Sequence, residues 1–423
     1  MNERMPRRRI SRVRPARRRA GASPDARAAD STAPTGGLRI HEGHCWLFFA
    51  FDVGHGIDLD AAQKTFADAP GAAGEETRRT GISHRRRAPT YLQFHPAPLR
   101  IDQPAGESAS LDFAGFRFAP RVECTLYDFG AVSVAYRIPL EGGDAGLTLE
   151  SLLPLAEALS DHTKLREQVR RRVKDLVIRL TGAIERPNLV DLLEDYTVYH
   201  ARRWSPVPSA QAAVNAACST VARLLLAESG PLSPQAIEAA MCEQLSYGPA
   251  DVAVIDWNAA LLLDAQADDA LAVLEFANVE LLEMRFIDDR LDSILDRSYS
   301  TFLRRDGHHR PRSPLALLLD PHRAARRHLA ALQMENAILF EGTNNALKLI
   351  GDQHLARLYA LAARRFHLGE WDQSIVRKLH TADGLYQKLA DEQSGRRMEV
   401  LEWIIIVLIA VSIVLPFIMS GAK

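Results

Sequence analysis

The chain has 423 residues, of which 52 are Lys or Arg, 53 are Asp or Glu and four are Cys. Such a length can bury one large core or two smaller ones, which excludes a wholly disordered tail, and so few cysteines exclude a disulfide scaffold. A mean hydropathy of −0.13 excludes a many-pass transporter, while the near-zero net charge hides an asymmetry: ten Arg against Glu3, Asp25 and Asp30 give residues 1–37 a net +7 and leave −8 for the remainder.

Residues 1–37 therefore read as a disordered basic arm, because Arg interleaved with Pro, Ala, Ser and Gly cannot bury enough apolar surface to offset the entropy of ordering. Its charge suits anionic lipid headgroups or RNA phosphates, and the absence of interleaved aromatics argues against base-specific single-strand recognition. Residues 38–264 read as an α+β domain. CWLFFAFDVG (Cys45 to Gly54), TYLQF (Thr90 to Phe94), VECTLYDFG (Val122 to Gly130) and AVSVAYRI (Ala131 to Ile138) have strand character, with Gly130 marking a hairpin or bulge and Phe66 to His84 a loop. Helical periodicity begins after Gly146: Leu165, Val169, Val173, Val177 and Leu180 recur at steps of 4, 4, 4 and 3, with Arg170, Arg171 and Arg172 on a solvated face. A strand around Tyr196 to Tyr199, helices over Ala210 to Glu228 and Pro234 to Leu245, and the apolar run DVAVIDW (Asp251 to Trp257) complete the domain.

Residues 265–398 read as a helical stalk, bundle or coiled coil. Leu274, Ala277, Leu281, Met284, Ile287, Leu291 and Ile294 form one packing stripe, and Ile375, Leu379, Ala382, Leu385 and Leu389 another. Arg304 to Pro314 reads as a loop, a further helix begins near Pro321, and the last helix runs from about Trp371 through Arg397 with Gly395 as a candidate bend. Residues 399–420 read as a transmembrane helix. From Trp403 to Ala422 there is no charge, and at 1.5 Å per residue such a run spans about 30 Å. The expected anchor residues are Trp403, Ile404, Ile405, Ile406, Val407, Leu408, Ile409, Val411, Ile413, Val414, Leu415, Phe417 and Ile418, and Arg396 and Arg397 form a positive-inside flank. The expectation is a tail-anchored, single-pass protein of an inner membrane, mitochondrial if eukaryotic, with its N-terminal part cytoplasmic.

Chemistry-bearing motifs are missing. No P-loop, HExxH, G-x-S-x-G or complete G-x-G-x-x-G is present, and Gly54-His55-Gly56 reads as a turn. Cys45, Cys124, Cys218 and Cys242 are too scattered for a zinc knuckle or a redox pair and read as reduced core thiols. His41, His44 and Cys45 could supply part of a metal site, yet period-2 geometry sends His44 and Cys45 to opposite faces. Asp289, Asp292 and Asp296 share a helical side, where Arg285, Arg290 and Arg297 favour an ion-paired surface over a cation site. No catalytic residue, cofactor or metal is expected.

The Cys45 strand, the Phe129-Gly130 strand pair, the helical region after Leu274 and the closing Leu401-Glu402-Trp403-Ile404-Ile405 together resemble the family called required for meiotic nuclear division, or Sad-interacting factor, a domain of unknown function. The chain departs from it at Ala135-Tyr136, where the family has a tryptophan nearby, and in the Arg-rich stretches around Arg85 and Arg310. The resemblance implies an α/β head, a helical stalk, a C-terminal anchor and homo-oligomers; in mitochondrial relatives it implies support of the translation machinery, with no catalytic residues to carry over. The function expected is a non-enzymatic membrane-anchored scaffold binding protein or ribonucleoprotein partners, with a channel or transporter subunit and an enzyme with an unrecognised site as the alternatives.

Overall fold

The computed structural model describes residues 37–67, 76–79, 97–206, 209–305 and 353–420. The first apolar run forms β1 (Arg39–Asp52), whose alternation serves two covered faces: Cys45, Leu47, Phe49 and Phe51 enter one core, while Phe48 and Ala50 are buried on the other side. Next come β2 (Gly56–Ile57), α1 (Leu59–Ala67), β3 (Glu76–Arg79) and β4 (Leu99–Pro104). A 3₁₀ turn over Gly106–Ser110 leads into the small hairpin of β5 (Asp112–Phe113) and β6 (Phe116–Arg117). Gly130, expected at a hairpin or a bulge, lies in the hairpin that joins β7 (Arg121–Leu126) to β8 (Ala131–Glu141). Gly130 has φ +100°, and a Cβ there would stand 2.0 Å from the Gly54 carbonyl oxygen, so this close approach requires glycine.

β9 (Leu147–Thr148) precedes α2 (Leu149–Ser160), whose start is capped by the Thr148 side chain accepting from the Ser151 N–H. α3 (Thr163–Arg179) buries Leu165, Val169 and Val173 of the predicted stripe, and Leu180 just beyond its end, whereas Leu176 is buried in place of the half-buried Val177. After β10 (Ile184–Glu185) and β11 (Glu194–Ser205), the expected helix over Ala210 to Glu228 breaks at Ala217 into α4 (Ala210–Ala216) and α5 (Cys218–Leu226), and ends with Ala227 at φ 54°. The helix expected to reach Leu245 stops as α6 (Pro234–Ala240), and Gln244–Leu245 becomes β12, pairing with β13 (Val252–Ile255). β14 (Ala259–Leu263) closes the series. The loop expected over Phe66 to His84 contains β3, whereas Thr90 to Phe94 lies outside the described residues.

Nine strands follow the order β12-β13-β14-β11-β1-β8-β7-β4-β3, with β9 beside β1. All these pairings are antiparallel except β11 with β14, so the sheet is mixed. Gly43 lets β1 and β11 approach, since a Cβ there would meet the His200 carbonyl oxygen at 2.2 Å. One face joins α1, α2, α3 and α5 in a continuous apolar core. The other receives α7 (Asp268–Arg305) and α8 (Gln353–Arg365): Tyr127 meets Phe276, and the Tyr196 ring packs edge-on to Phe366 at 4.9 Å. The result is three layers, helices on both faces of a sheet.

The described residues divide into two compact units. The first falls within Met1–Glu283 and Thr343–Leu368, the second within Met284–Gly342 and Gly369–Lys423. In the first, Leu274, Ala277 and Leu281 are buried; in the second, Met284, Ile287, Leu291 and Ile294 are buried, as are Ile375, Leu379 and Ala382 of α9 (Leu368–Ser420). Buried polar residues, among them Glu275, Asn278, Glu280, Arg285 and Asp288, interleave with these stripes, so α7 is enclosed nearly all round from Val273 to Asp288.

The expected fold class needs correction at its C-terminal end. Among the described residues no helix is long and apolar enough to cross a membrane. A span needs about 20 consecutive predominantly apolar residues, which no helix supplies among the described residues. The expected C-terminal transmembrane helix and the tail-anchored, single-pass, inner-membrane placement with a cytoplasmic head are therefore overturned. The side chains of Arg396, Arg397, Ile404, Ile413, Val414, Leu415, Phe417 and Ile418 lie outside the described residues, as do the arm over 1–36, the helix expected near Pro321 and most of the loop from Arg304. Gly395 lies within continuous α9.

Candidate functional sites

The sheet face that receives α7 carries charge where a sheet core is ordinarily apolar. In register across β4, β7 and β8, Arg100 stands opposite Thr125, which stands opposite Ser133. The Arg100 guanidinium lies 3.2 Å from Glu123 and 3.6 Å from Glu275, and Arg137 lies 3.7 Å from Glu123. Glu275 is 4% exposed as a side chain and Glu123 11%, so a low dielectric strengthens each attraction and raises the cost of each charge. Burial disfavours the Arg100 cation, but Glu275 and Glu123 more than compensate and hold its pKa up. Burial pushes the Glu123 carboxyl up in spite of its arginine neighbours, and burial and Glu275 push up the Tyr127 phenol. Among the described residues, the Thr125 and Ser133 hydroxyls, Arg100 Nε and Glu275 Oε1 are buried without a hydrogen-bond partner.

A second charged grouping ties α8 to the sheet. Arg365 Nε donates to Asp256 Oδ1 at 2.8 Å, and its Nη2 also reaches that oxygen. Tyr196 Oη donates to the Asp256 carbonyl at 3.0 Å, and the Tyr359 hydroxyl donates to Glu280. These contacts tie α8 to the turn between β13 and β14 and to α7.

A cleft of about 450 Å³ lies between β4, the Gly106–Ser110 turn and α3. Arg172 is woven into its wall: Nη1 donates to Gln103 Oε1 at 3.0 Å, Nη2 to the Pro104 and Ala105 carbonyls at 2.9 and 2.8 Å, and Nε to the Tyr136 hydroxyl at 3.3 Å. The Arg170, Arg171, Arg172 triplet, read from the sequence as solvated, thus divides its roles. Arg170 pairs with Asp191, Arg171 has only a 4.0 Å contact with Glu107, and Arg172 is a clamp. Sequence reasoning missed this site because its partners come from β4 and the turn, far from α3 in the chain; three successive arginines on a helix were the only local signal.

Among the described residues no group of His, Cys, Asp and Glu could hold a metal ion. Cys45 is buried in the apolar core, its thiol pushed up by burial, whereas His44 stacks toward Trp46 on the other face, its imidazole pKa lowered first by burial and then by Arg137. The ring of His41 lies 2.8 Å from Ser205 Oγ and 2.9 Å from the Gly143 carbonyl oxygen. Cys124 is buried, but Cys218 is half-buried and Cys242 exposed, so the core-thiol expectation covers two of the four. Asp292, expected in an ion-paired surface, shares Lys378 Nζ with Asp288 at 2.6 and 2.7 Å; its partner comes from α9 and not from the arginines of its own helix.

No solved structure matches the chain. A protein of Methanocaldococcus jannaschii described as "Uncharacterized protein MJ0711" is 22% identical over 234 residues, which cover 55% of this chain and 68% of that protein. The family profile described as "Uncharacterized protein MJ0711, N-terminal domain" matches residues 42–269, a stretch that begins in β1 and closes as α7 starts. The matched region holds the sheet, α1 to α6 and the Gln103–Arg172 cleft, and the chain belongs to this MJ0711 N-terminal domain family.

Proposed function

We propose that the protein is a non-enzymatic scaffold that works as a homo-oligomer, its copies joined through the apolar end of α9 and each presenting its sheet unit to protein or ribonucleoprotein partners. The observation that supports this is the exposure of Met398, Trp403, Ile405, Ile406, Val407, Leu408, Ile409 and Val411, each at least half exposed. A contiguous apolar surface on one chain marks an interaction site. Successive helical residues are about 100° apart, so the five from Ile405 to Ile409 encircle the helix, while a packed neighbour covers roughly a third of a helix circumference. Each α9 therefore needs two or more neighbours, and the same segment of further copies is the occupant with matching length and character. Within the unit that holds α9, Lys378 between Asp288 and Asp292 fixes it to α7.

Light scattering with native cross-linking on the full chain tests the proposal. The mass expected is at least three times that of one chain, and Ile406→Glu with Ile409→Glu, on one side of α9, should dissociate it without altering the circular dichroism of the folded units. A monomer or dimer under conditions that keep both units folded overturns the assembly.

A further inference from the structure

We infer that the cleft between β4, the Gly106–Ser110 turn and α3 is a binding site for a small phosphorylated hydroxyl compound, of the sugar- or polyol-phosphate class. Its volume of about 450 Å³ lies within the roughly 300–1,000 Å³ of small-molecule sites. The donor set is oriented by contacts behind it. Gln103 Oε1 accepts from Arg172 Nη1 and Gln168 Oε1 accepts from Ser108 Oγ, each at 3.0 Å. Both glutamines line the cleft, and with their amide oxygens engaged their NH₂ groups are the donors left to it, neither nitrogen having a protein partner among the described residues. Arg172 donates to Gln103, Tyr136 and two carbonyls, so it positions the wall and contributes charge without being available to a ligand.

Arg171 is the available cation. It lines the cleft, its side chain is 66% exposed, and among the described residues its one carboxylate contact, to Glu107, is at 4.0 Å; a guanidinium so placed can take two phosphate oxygens side by side. Arg179, stacked over the Phe66 ring at 4.4 Å, adds a held positive charge at the same site. Three arginines against Glu107 and Asp175 leave the lining net positive. Those two carboxylates can accept only from donors, which a bare phosphate in its dianionic form lacks and ligand hydroxyls supply. Donors for an anion and acceptors for hydroxyls in one cleft are what select a phosphorylated polyol over either group alone.

Isothermal calorimetry on the full chain tests this with three probes: glucose 6-phosphate, glucose and inorganic phosphate. Saturable binding is expected for glucose 6-phosphate, with glucose and inorganic phosphate each at least tenfold weaker. Arg171→Ala and Gln168→Glu, the second replacing a donor by a charged acceptor, should each weaken glucose 6-phosphate binding tenfold or more. Arg202→Ala, which removes an arginine paired with Glu42 away from the cleft, should leave it unchanged. Absence of saturable binding by millimolar glucose 6-phosphate overturns the site. So does binding that Arg171→Ala and Gln168→Glu both leave intact while their thermal melts match the parent. Inorganic phosphate binding as tightly as glucose 6-phosphate overturns the assignment to a hydroxyl-bearing ligand.

Discussion

Arg100→Met is the sharpest perturbation of the sheet unit. The methionine keeps the aliphatic stem and removes the cation that faces two buried carboxylates, Glu123 at 3.2 Å and Glu275 at 3.6 Å. Glu123 retains Arg137 at 3.7 Å, whereas Glu275 keeps one oxygen without any partner and loses the ion pair on the other. Breaking a buried ion pair from one side costs about 3–5 kcal/mol, a large share of the ~5–15 kcal/mol that holds a domain, so the urea midpoint followed by circular dichroism should fall steeply. Two further measurements separate this account from simple loss of packing. Glu275→Gln added to Arg100→Met should recover most of the loss, because a neutral amide replaces the orphaned charge. The deficit of Arg100→Met should also shrink as pH falls toward 5, since burial already holds the Glu123 carboxyl up and losing Arg100 lets it take up a proton more readily. A loss below about 1 kcal/mol at pH 7, or a deficit unchanged between pH 5 and 7, would refute the reasoning.

Arg365→Met removes the partner of Asp256, which is 1% exposed, and should cost about 3–5 kcal/mol, read as a lower urea midpoint; Asp256→Asn in the same chain should restore much of it. Phe366→Ala opens a cavity against Tyr196 and should cost about 3–5 kcal/mol by the same assay. Burial lowers the His200 pKa, so the unfolded chain takes up a proton near its ordinary value of about 6.5 that the folded chain refuses. His200 should thus contribute a loss of stability as pH falls below that value, and His200→Gln should flatten the slope of midpoint against pH there. Lys378 runs the other way: burial lowers its pKa, but Asp288 and Asp292 raise it by more. Its contribution is complete below the ordinary lysine pKa and lost as pH rises through the elevated folded value, a loss that Lys378→Met should abolish in alkaline melts.

Local chemistry sufficed where neighbours along the chain decide conformation. The turn at Gly130 was legible because only glycine accepts φ +100° between two apolar runs, and α3 because its apolar positions recur at helical spacing. Its boundaries failed where a partner overrode propensity: Gln244–Leu245 continued a helical pattern, yet pairing with Val254 and Ala253 of β13 drew it into the sheet, and β3 became a strand by pairing with β4. The expected C-terminal span rests on twenty uncharged residues in a row, whereas among the described residues no helix is long and apolar enough to cross a membrane. Of the cleft, three consecutive arginines were visible but not their different duties, because what distinguishes Arg172 from Arg171 is the reach of Gln103, Pro104, Ala105 and Tyr136.

Sequence by itself determined the periodicities, the chain reversal or bulge at Gly130 and the scatter of the cysteines, since each depends on residues within a few positions of one another. Tertiary structure alone decided the strand order, the charged network around Arg100 and the orientation of the amides in the cleft. Those depend on Coulomb and hydrogen-bond partners brought together from distant strands and helices, whose pairing no single stretch of chain specifies.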